Sequence, residues 1–174
     1  MKRIALAALL ASTVVSASAQ VYVGGAFGPS RVNVECGGLL NCDSSDTGYK
    51  FYAGYKVNPI VALEAAYVDF GKAKFTGGSF GVDGFLLNAA LRHNFTRQLN
   101  GVGRLGVAVL DTKLSGPLFI NSSDSSTKLY FGLGLEYAFA KNLKGTASLD
   151  LANAEFKGES GSVRMLNVGA QYDF

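Results

Sequence analysis

The sequence holds one histidine, two cysteines and three prolines, and past residue 20 no apolar run approaches the length of a membrane-spanning helix. Each shortage removes a class of protein. His93, Cys36 and Cys42 supply too few ligands for a structural zinc site, and no further Cys or His lies near the cysteine pair. Charge is scarce as well, at 17% of residues. Of the sixteen Lys and Arg, Lys2 and Arg3 lie in a removable leader, leaving fourteen against thirteen Asp and Glu, with no electrostatic footprint for nucleic acid. What is plentiful is apolar residues, at 48%, and glycine, at 22 copies, which excludes a disordered chain and suits one domain at this length.

The first residues follow the plan of a secretory signal. Lys2 and Arg3 precede an apolar stretch from Ile4 to Val15, and Ala17-Ser18-Ala19 forms a small-x-small cleavage site. A spanning helix needs about 20 apolar residues, and this stretch is too short. The expected domains are therefore a signal peptide over 1–19 and one domain over 20–174. Export makes Cys36 and Cys42 interpretable: they sit in the loop-like "VECGGLLNCDSSD", and an oxidising compartment favours a bridge between them. Closing so short a ring removes about 2 kcal/mol of chain entropy, acting on the loop.

The mature region alternates with a period of two. Segments near 20–28, 47–57, 60–71, 82–95, 100–112, 127–139, 143–156 and 162–174 read as eight antiparallel strands joined as hairpins. Their connections fall into two classes. "GPSRVNVECGGLLNCDSSD", "GKAKFTGGSFG", "DTKLSGPLFINSSDSST" and "KGESG" are long or rich in Gly, Ser and Asp; Asn58-Pro59, "TRQLN" and "AKN" are short. An even strand number, with long connections at one end and tight turns at the other, is the asymmetry of an outer-membrane barrel, whose long loops face out of the cell.

Side-chain parity decides which way the sheet faces. In "KLYFGLGLEYAF", Leu129, Phe131, Leu133, Leu135, Tyr137 and Phe139 share one face; Lys128, Tyr130, Gly132, Gly134, Glu136 and Ala138 share the other. Were the greasy face inward, Lys50, Glu64, Arg104 and Glu136 would all face water, and the interior would receive Tyr and Phe from nearly every strand. An eight-stranded lumen is only wide enough to be filled by side chains, and glycine with a few polar groups fits it better. The greasy face therefore meets lipid. The fold class predicted is all-β: an eight-stranded antiparallel up-and-down transmembrane β-barrel, closed because an open edge in hydrocarbon leaves unpaired backbone groups.

Three stretches resemble a known family: "TGYKFYAGYKVNPIVALEAAYVDFGKA" at 47–73, "GLGLEYAFAKNL" at 132–143 and the closing "LNVGAQYDF". They look like the OmpA-like outer-membrane β-barrels in their small single-domain form. The resemblance implies location in the bacterial outer membrane, with outer-membrane lipid and lipopolysaccharide around the barrel. It also makes Tyr172 and Phe174 part of a C-terminal signal read by the barrel-assembly machinery. A periplasmic peptidoglycan-binding domain, carried by larger members, is not expected after Phe174. By local alignment, Glu64 and Glu136 match acidic lumen residues of the family and Arg104 a basic one. Two other basic positions fall on Ala90 and Thr146, so the family's internal gate does not carry over intact.

Counting from the short turns gives an independent view of the lumen. Glu64, Arg92, Arg104 and Glu136 have inward parity and sit about 10 Å above the short-turn rim, from strand rise and tilt. Two acids and two bases at one depth predict a neutral, salt-bridged constriction. The competing reading is a set of independently hydrated charges.

No catalytic residue, metal site or cofactor is expected. His93 in "LRHNFT" has outward parity at the short-turn end, away from the outer leaflet, with no partner placed to activate a nucleophile. Gly132-Leu133-Gly134 lies within a strand and does not make a phosphate loop. The predicted role is structural, in envelope integrity or surface interaction, without catalysis. A surface adhesin or host-factor binder acting through the extracellular loops is one alternative, since exposed loops on a rigid scaffold are where binding evolves. A soluble lipocalin-like carrier is another, opposed by parity and by the absence of tryptophan, hence of that family's Gly-x-Trp start.

Overall fold

A computed structural model describes residues 20–33, 45–75, 78–116, 119–156 and 159–174. The segment 1–19 and the cysteines Cys36 and Cys42 lie outside them. Eight strands follow one another: β1 (Val21–Asn33), β2 (Ser45–Lys56), β3 (Val61–Phe75), β4 (Gly78–Asn94), β5 (Leu99–Gly116), β6 (Phe119–Ala138), β7 (Leu143–Phe156) and β8 (Glu159–Asp173). Each pairs antiparallel with its neighbours in sequence, and β1 pairs β8 from Tyr22↔Asp173 to Asn33↔Ser162, so the sheet closes. Every strand thus has a partner on both sides, which is what a sheet in hydrocarbon requires.

The three short turns share one geometry. Two successive N–H groups donate to a single carbonyl: Val57 and Asn58 to Val61, Phe95 and Thr96 to Leu99, Phe139 and Ala140 to Leu143, at 2.9 to 3.1 Å. In two turns a side chain completes the network. Asn58 Oδ1 accepts from the N–H of Ile60 and Val61, and Thr96 Oγ1 from those of Gln98 and Leu99. These local bonds satisfy backbone donors that leave the ladder at the bend.

At the other end the strands run farther than their alternation suggests. "GKAKFTGGSFG" and "DTKLSGPLFINSSDSST", expected as loops, are largely paired backbone: β3 reaches Phe75 and β4 begins at Gly78, while β5 reaches Gly116 and β6 begins at Phe119. A paired ribbon that rises above the apolar belt has no greasy face to maintain, so its period of two disappears while its hydrogen bonds continue. One irregularity marks the transition on β3. The register shifts between Asp69 and Lys72, and Gly71 takes φ +80°, a conformation that costs glycine little; the Asp69 carboxylate accepts its N–H at 2.8 Å.

The two faces separate cleanly. Leu129, Phe85, Phe51 and Leu133 are more than half exposed on the outside, whereas Glu64, Arg104, Glu136 and Asp150 are buried within. Large side chains fill much of the interior as well, including Tyr22, Tyr52, Phe70, Leu110, Tyr130 and Met165, more than the glycine-rich lumen expected from sequence. Glycines on the neighbouring strand give the tyrosines their room. A Cβ on Gly54 would lie 2.1 Å from the Tyr22 ring, and one on Gly24 would lie 2.3 Å from that of Tyr52.

Candidate functional site: the charged interior of the barrel

The interior is layered along the barrel axis. Nearest the short turns, Asp173 Oδ2 receives both Lys56 Nζ and Lys144 Nζ at 2.8 Å, while Gln171 Nε2 donates to Asp173 Oδ1 at 2.7 Å. The next layer gathers all four of the lumen residues singled out in the sequence. Arg104 Nε meets Glu64 Oε2 at 2.6 Å, and Arg92 Nη2 reaches Glu64 Oε1 at 3.3 Å and Glu136 Oε1 at 3.1 Å. Arg92 Nε also donates to both Glu136 oxygens at 3.2 Å. The longest contact is Arg104 Nη2 to Glu136, at 3.8 Å.

These charges are buried, so the attraction acts in a low dielectric, and each ion is costly unless its remaining valences are filled. Tyrosines do the filling. Tyr22 Oη donates to Glu64 Oε1 at 2.6 Å, and its ring lies 4.7 Å from the Arg92 guanidinium carbon; Tyr52 stands 5.7 Å from that of Arg104. Four strands supply the cluster, Glu64 from β3, Arg92 from β4, Arg104 from β5 and Glu136 from β6. It therefore ties together half the circumference.

A further layer, missing from the sequence-derived ring, pairs Lys50 on β2 with Asp150 on β7, both buried. Tyr130 Oη and Asn167 Nδ2 donate to the same carboxylate at 2.7 and 2.8 Å, and Ser148 Oγ donates to Asn167 Oδ1 at 2.8 Å. Lys50, Lys56, Lys144, Asp150 and Asp173 all share the inward parity of the ring residues. Applying the parity test to every charged strand residue, and not only to those about four residues from a short turn, would have found them. Ala90, at a position where the family carries a base, is buried and apolar. Lys50 contributes a lumen cation from another strand.

Above these layers the filling turns apolar. Val68, Phe70, Val82, Leu110, Val163 and Met165 are buried toward the long-connection end, and Ser30 Oγ donates to the Phe70 carbonyl there.

The remaining sequence-derived candidates lie elsewhere. Tyr172 and Phe174 are exposed on the outer face with their rings edge-on at 5.2 Å. His93 is exposed on that face too, 5.3 Å from the Phe95 ring. Among the described residues no group of three or more His, Cys, Asp and Glu is arranged to hold a metal ion.

Comparison with known proteins agrees with this geometry. Outer membrane protein A of Salmonella typhi is 30% identical over 135 residues, covering 71% of this chain and 39% of the relative. The chain thus spans about two fifths of the length of the curated relatives it matches. Among solved structures, Neisserial surface protein A (NspA) is similar with a TM-score of 0.69 at 14% identity, over 88% of this chain and 97% of that one. Ail, the attachment invasion locus protein of Yersinia pestis, solved with the heparin analogue sucrose octasulfate, gives 0.61 at 20% identity over 89% and 98%. Residues 4–174 match the model of the outer membrane protein beta-barrel domain, and the chain belongs to that family, an OmpA-like eight-stranded barrel of the bacterial outer membrane.

Proposed function

We propose that this barrel is an occluded envelope protein, serving envelope integrity or surface interaction without catalysis or general pore activity. The observation that carries the reading is the Glu64–Arg92–Arg104–Glu136 cluster, in which each arginine lies within 4 Å of both glutamates. The Lys50–Asp150 pair and the apolar layer lie in series with it. A hydrated ion would have to part buried charges held by hydrogen-bonded partners, at a cost of several kcal/mol. The position of His93, outside the barrel and beside the Phe95 ring, supports a non-catalytic role.

The test is conductance in planar bilayers with the folded protein. Wild type is expected to show no porin-sized steps. A variant in which Glu64, Arg92, Arg104, Glu136, Lys50 and Asp150 are replaced by serine, with Phe70, Leu110 and Met165 of the apolar layer cut back to alanine, is expected to conduct. Porin-sized conductance by the wild type, surviving mild heating, would refute the occlusion.

A surface-binding role is the second reading. β5 and β6 are the two longest strands, and their pairing continues from Asp111↔Ser125 to Gly116↔Phe119, so a stiff ribbon stands clear of the apolar belt. The fold likeness to Ail, which binds sucrose octasulfate in its structure, favours asking whether this rim also takes an extracellular ligand. The expected disulfide between Cys36 and Cys42 would order the neighbouring first loop. Deleting residues 36–42 and measuring attachment of intact cells to host cells or matrix tests it; unchanged attachment counts against a role for that loop.

A further inference from the structure

The outer face carries few charges, and two basic ones are directly opposed. Arg31 near the end of β1 and Arg164 near the start of β8 are register partners, Arg31↔Arg164, and both side chains are exposed on the lipid-facing parity. Like charges opposite one another across a strand pair are destabilising, and their Cβ atoms lie only about 5 Å apart. Neither arginine makes an ion pair with any described residue. Nor do their immediate neighbours offer one: the described outward residues directly opposite them, or one outward position away on β7, β8, β1 and β2, include no Asp or Glu, and the nearest acid of that parity, Glu155 on β7, lies two outward positions beyond Leu151. Leu151 faces Arg164 from β7 and Ser45 faces Arg31 from β2, with Thr47 and Ser162 one outward position away.

Height identifies the environment. Arg164 lies ten residues from Phe174, about 25 Å along the axis for a rise of ~3.3 Å and a tilt of ~40°, which is the full depth of an outer-membrane apolar belt. Leu166, more than half exposed, is the next outward residue below Arg164. The pair thus stands where acyl chains end and headgroups of the outer leaflet begin.

We propose that Arg31 and Arg164 together bind the phosphate of a phosphorylated outer-leaflet lipid, whose acyl chains lie on the apolar surface beneath, around Phe27, Leu166 and Val168. Guanidinium forks match phosphate oxygens two at a time, and an anion between the two converts their repulsion into attraction. The outward carboxylates Asp69, Asp83 and Asp111 form a row across β3, β4 and β5, beyond β2 from the arginines. That row is what a second copy would have to offer the pair.

The test uses the folded protein in detergent micelles, loaded with bis-phosphorylated lipid A or its dephosphorylated form, with bound lipid counted by native mass spectrometry. Retention of the phosphorylated form by wild type is expected to exceed that by R31Q/R164Q on the order of tenfold or more. K72Q, which removes another exposed base at the same end, should behave as wild type, and R31K/R164K should fall between. Heat-modifiable gel migration, unchanged in each variant, shows that the barrel is folded. Equal retention by R31Q/R164Q and wild type, or equal retention of the dephosphorylated lipid, overturns the proposal. So does complete displacement by excess inorganic phosphate, which would make the pair a free-anion site. Crosslinked dimers lost in both R31Q/R164Q and D69N/D83N/D111N would assign the face to a second copy instead.

Discussion

Tyr22 on β1 and Tyr52 on β2 exchange glycines: Tyr22 faces Gly54 in the register and lies over it, while Tyr52 faces Gly24 and lies over that, the two rings edge-on at 6.4 Å. The two positions are not equivalent. Tyr22 Oη is fixed on Glu64 at 2.6 Å, whereas Tyr52 Oη reaches Gln171 only at 3.4 Å.

A methyl group at Gly54 must therefore displace a ring that anchors the ion cluster, while one at Gly24 meets a ring freer to turn. G54A is expected to cost about 1–3 kcal/mol, in the range of overpacked cores, and G24A less. Urea titration of the protein folded into vesicles measures both. In a Y22A background the further cost of G54A should largely vanish, because the obstructing ring is gone. Equal costs in the two backgrounds would show that the glycine is needed for some other reason.

Removing one charge from the cluster should be worse than removing a pair. R104M leaves Glu64 buried with only Arg92 and Tyr22 to hold it, and a loss of about 3 kcal/mol is expected. E64Q/R104M should recover part of that, since the orphaned carboxylate is neutralised. A double variant as unstable as the sum of the singles would mean that the two residues act independently, against their 2.6 Å contact.

The barrel and its orientation were legible because strict alternation leaves two unlike sets of residues, and only one arrangement puts Leu133 in lipid and Glu136 among ion partners. The depth count from short turns brought Glu64, Arg92, Arg104 and Glu136 to one level for the same reason: a strand's rise per residue is nearly constant. It stopped short of Lys50 and Asp150, which lie farther from any short turn and a hundred residues apart in the chain. Tyr22 escaped as well, since nothing in a tyrosine's identity says whether its ring faces a membrane or fills the space over a glycine; alternation did put Tyr130 on the inward face with Glu136. The strand ends above the belt were also hidden, because Ser- and Asp-rich ribbon and loop read alike.

Cys36 and Cys42 are expected to be oxidised in protein isolated from the envelope. A maleimide reagent should label neither before reduction and both after it, read as two added masses on the intact chain. Labelling without reductant would exclude the bridge. Heat-modifiable migration of C36S/C42S should be unchanged, since neither cysteine belongs to a described strand of the closed sheet.

Leu133 and Gly132 are adjacent on β6 and face opposite worlds. Leu133 is 53% exposed on the outer face, whereas a Cβ at Gly132 would sit 2.8 Å from the Tyr130 hydroxyl inside. L133R would place a guanidinium in hydrocarbon, and a cost of about 2–4 kcal/mol is expected if the site lies near the midplane, falling toward the interfaces. Leu166, the next outward residue below Arg164, should tolerate arginine better, because a long side chain there can snorkel into the headgroups. Comparing L133R with L166R by urea titration in vesicles reads depth directly. A neutral L133R would contradict the outward assignment of the whole alternate set on β6, since the period of two leaves no residue free to turn alone.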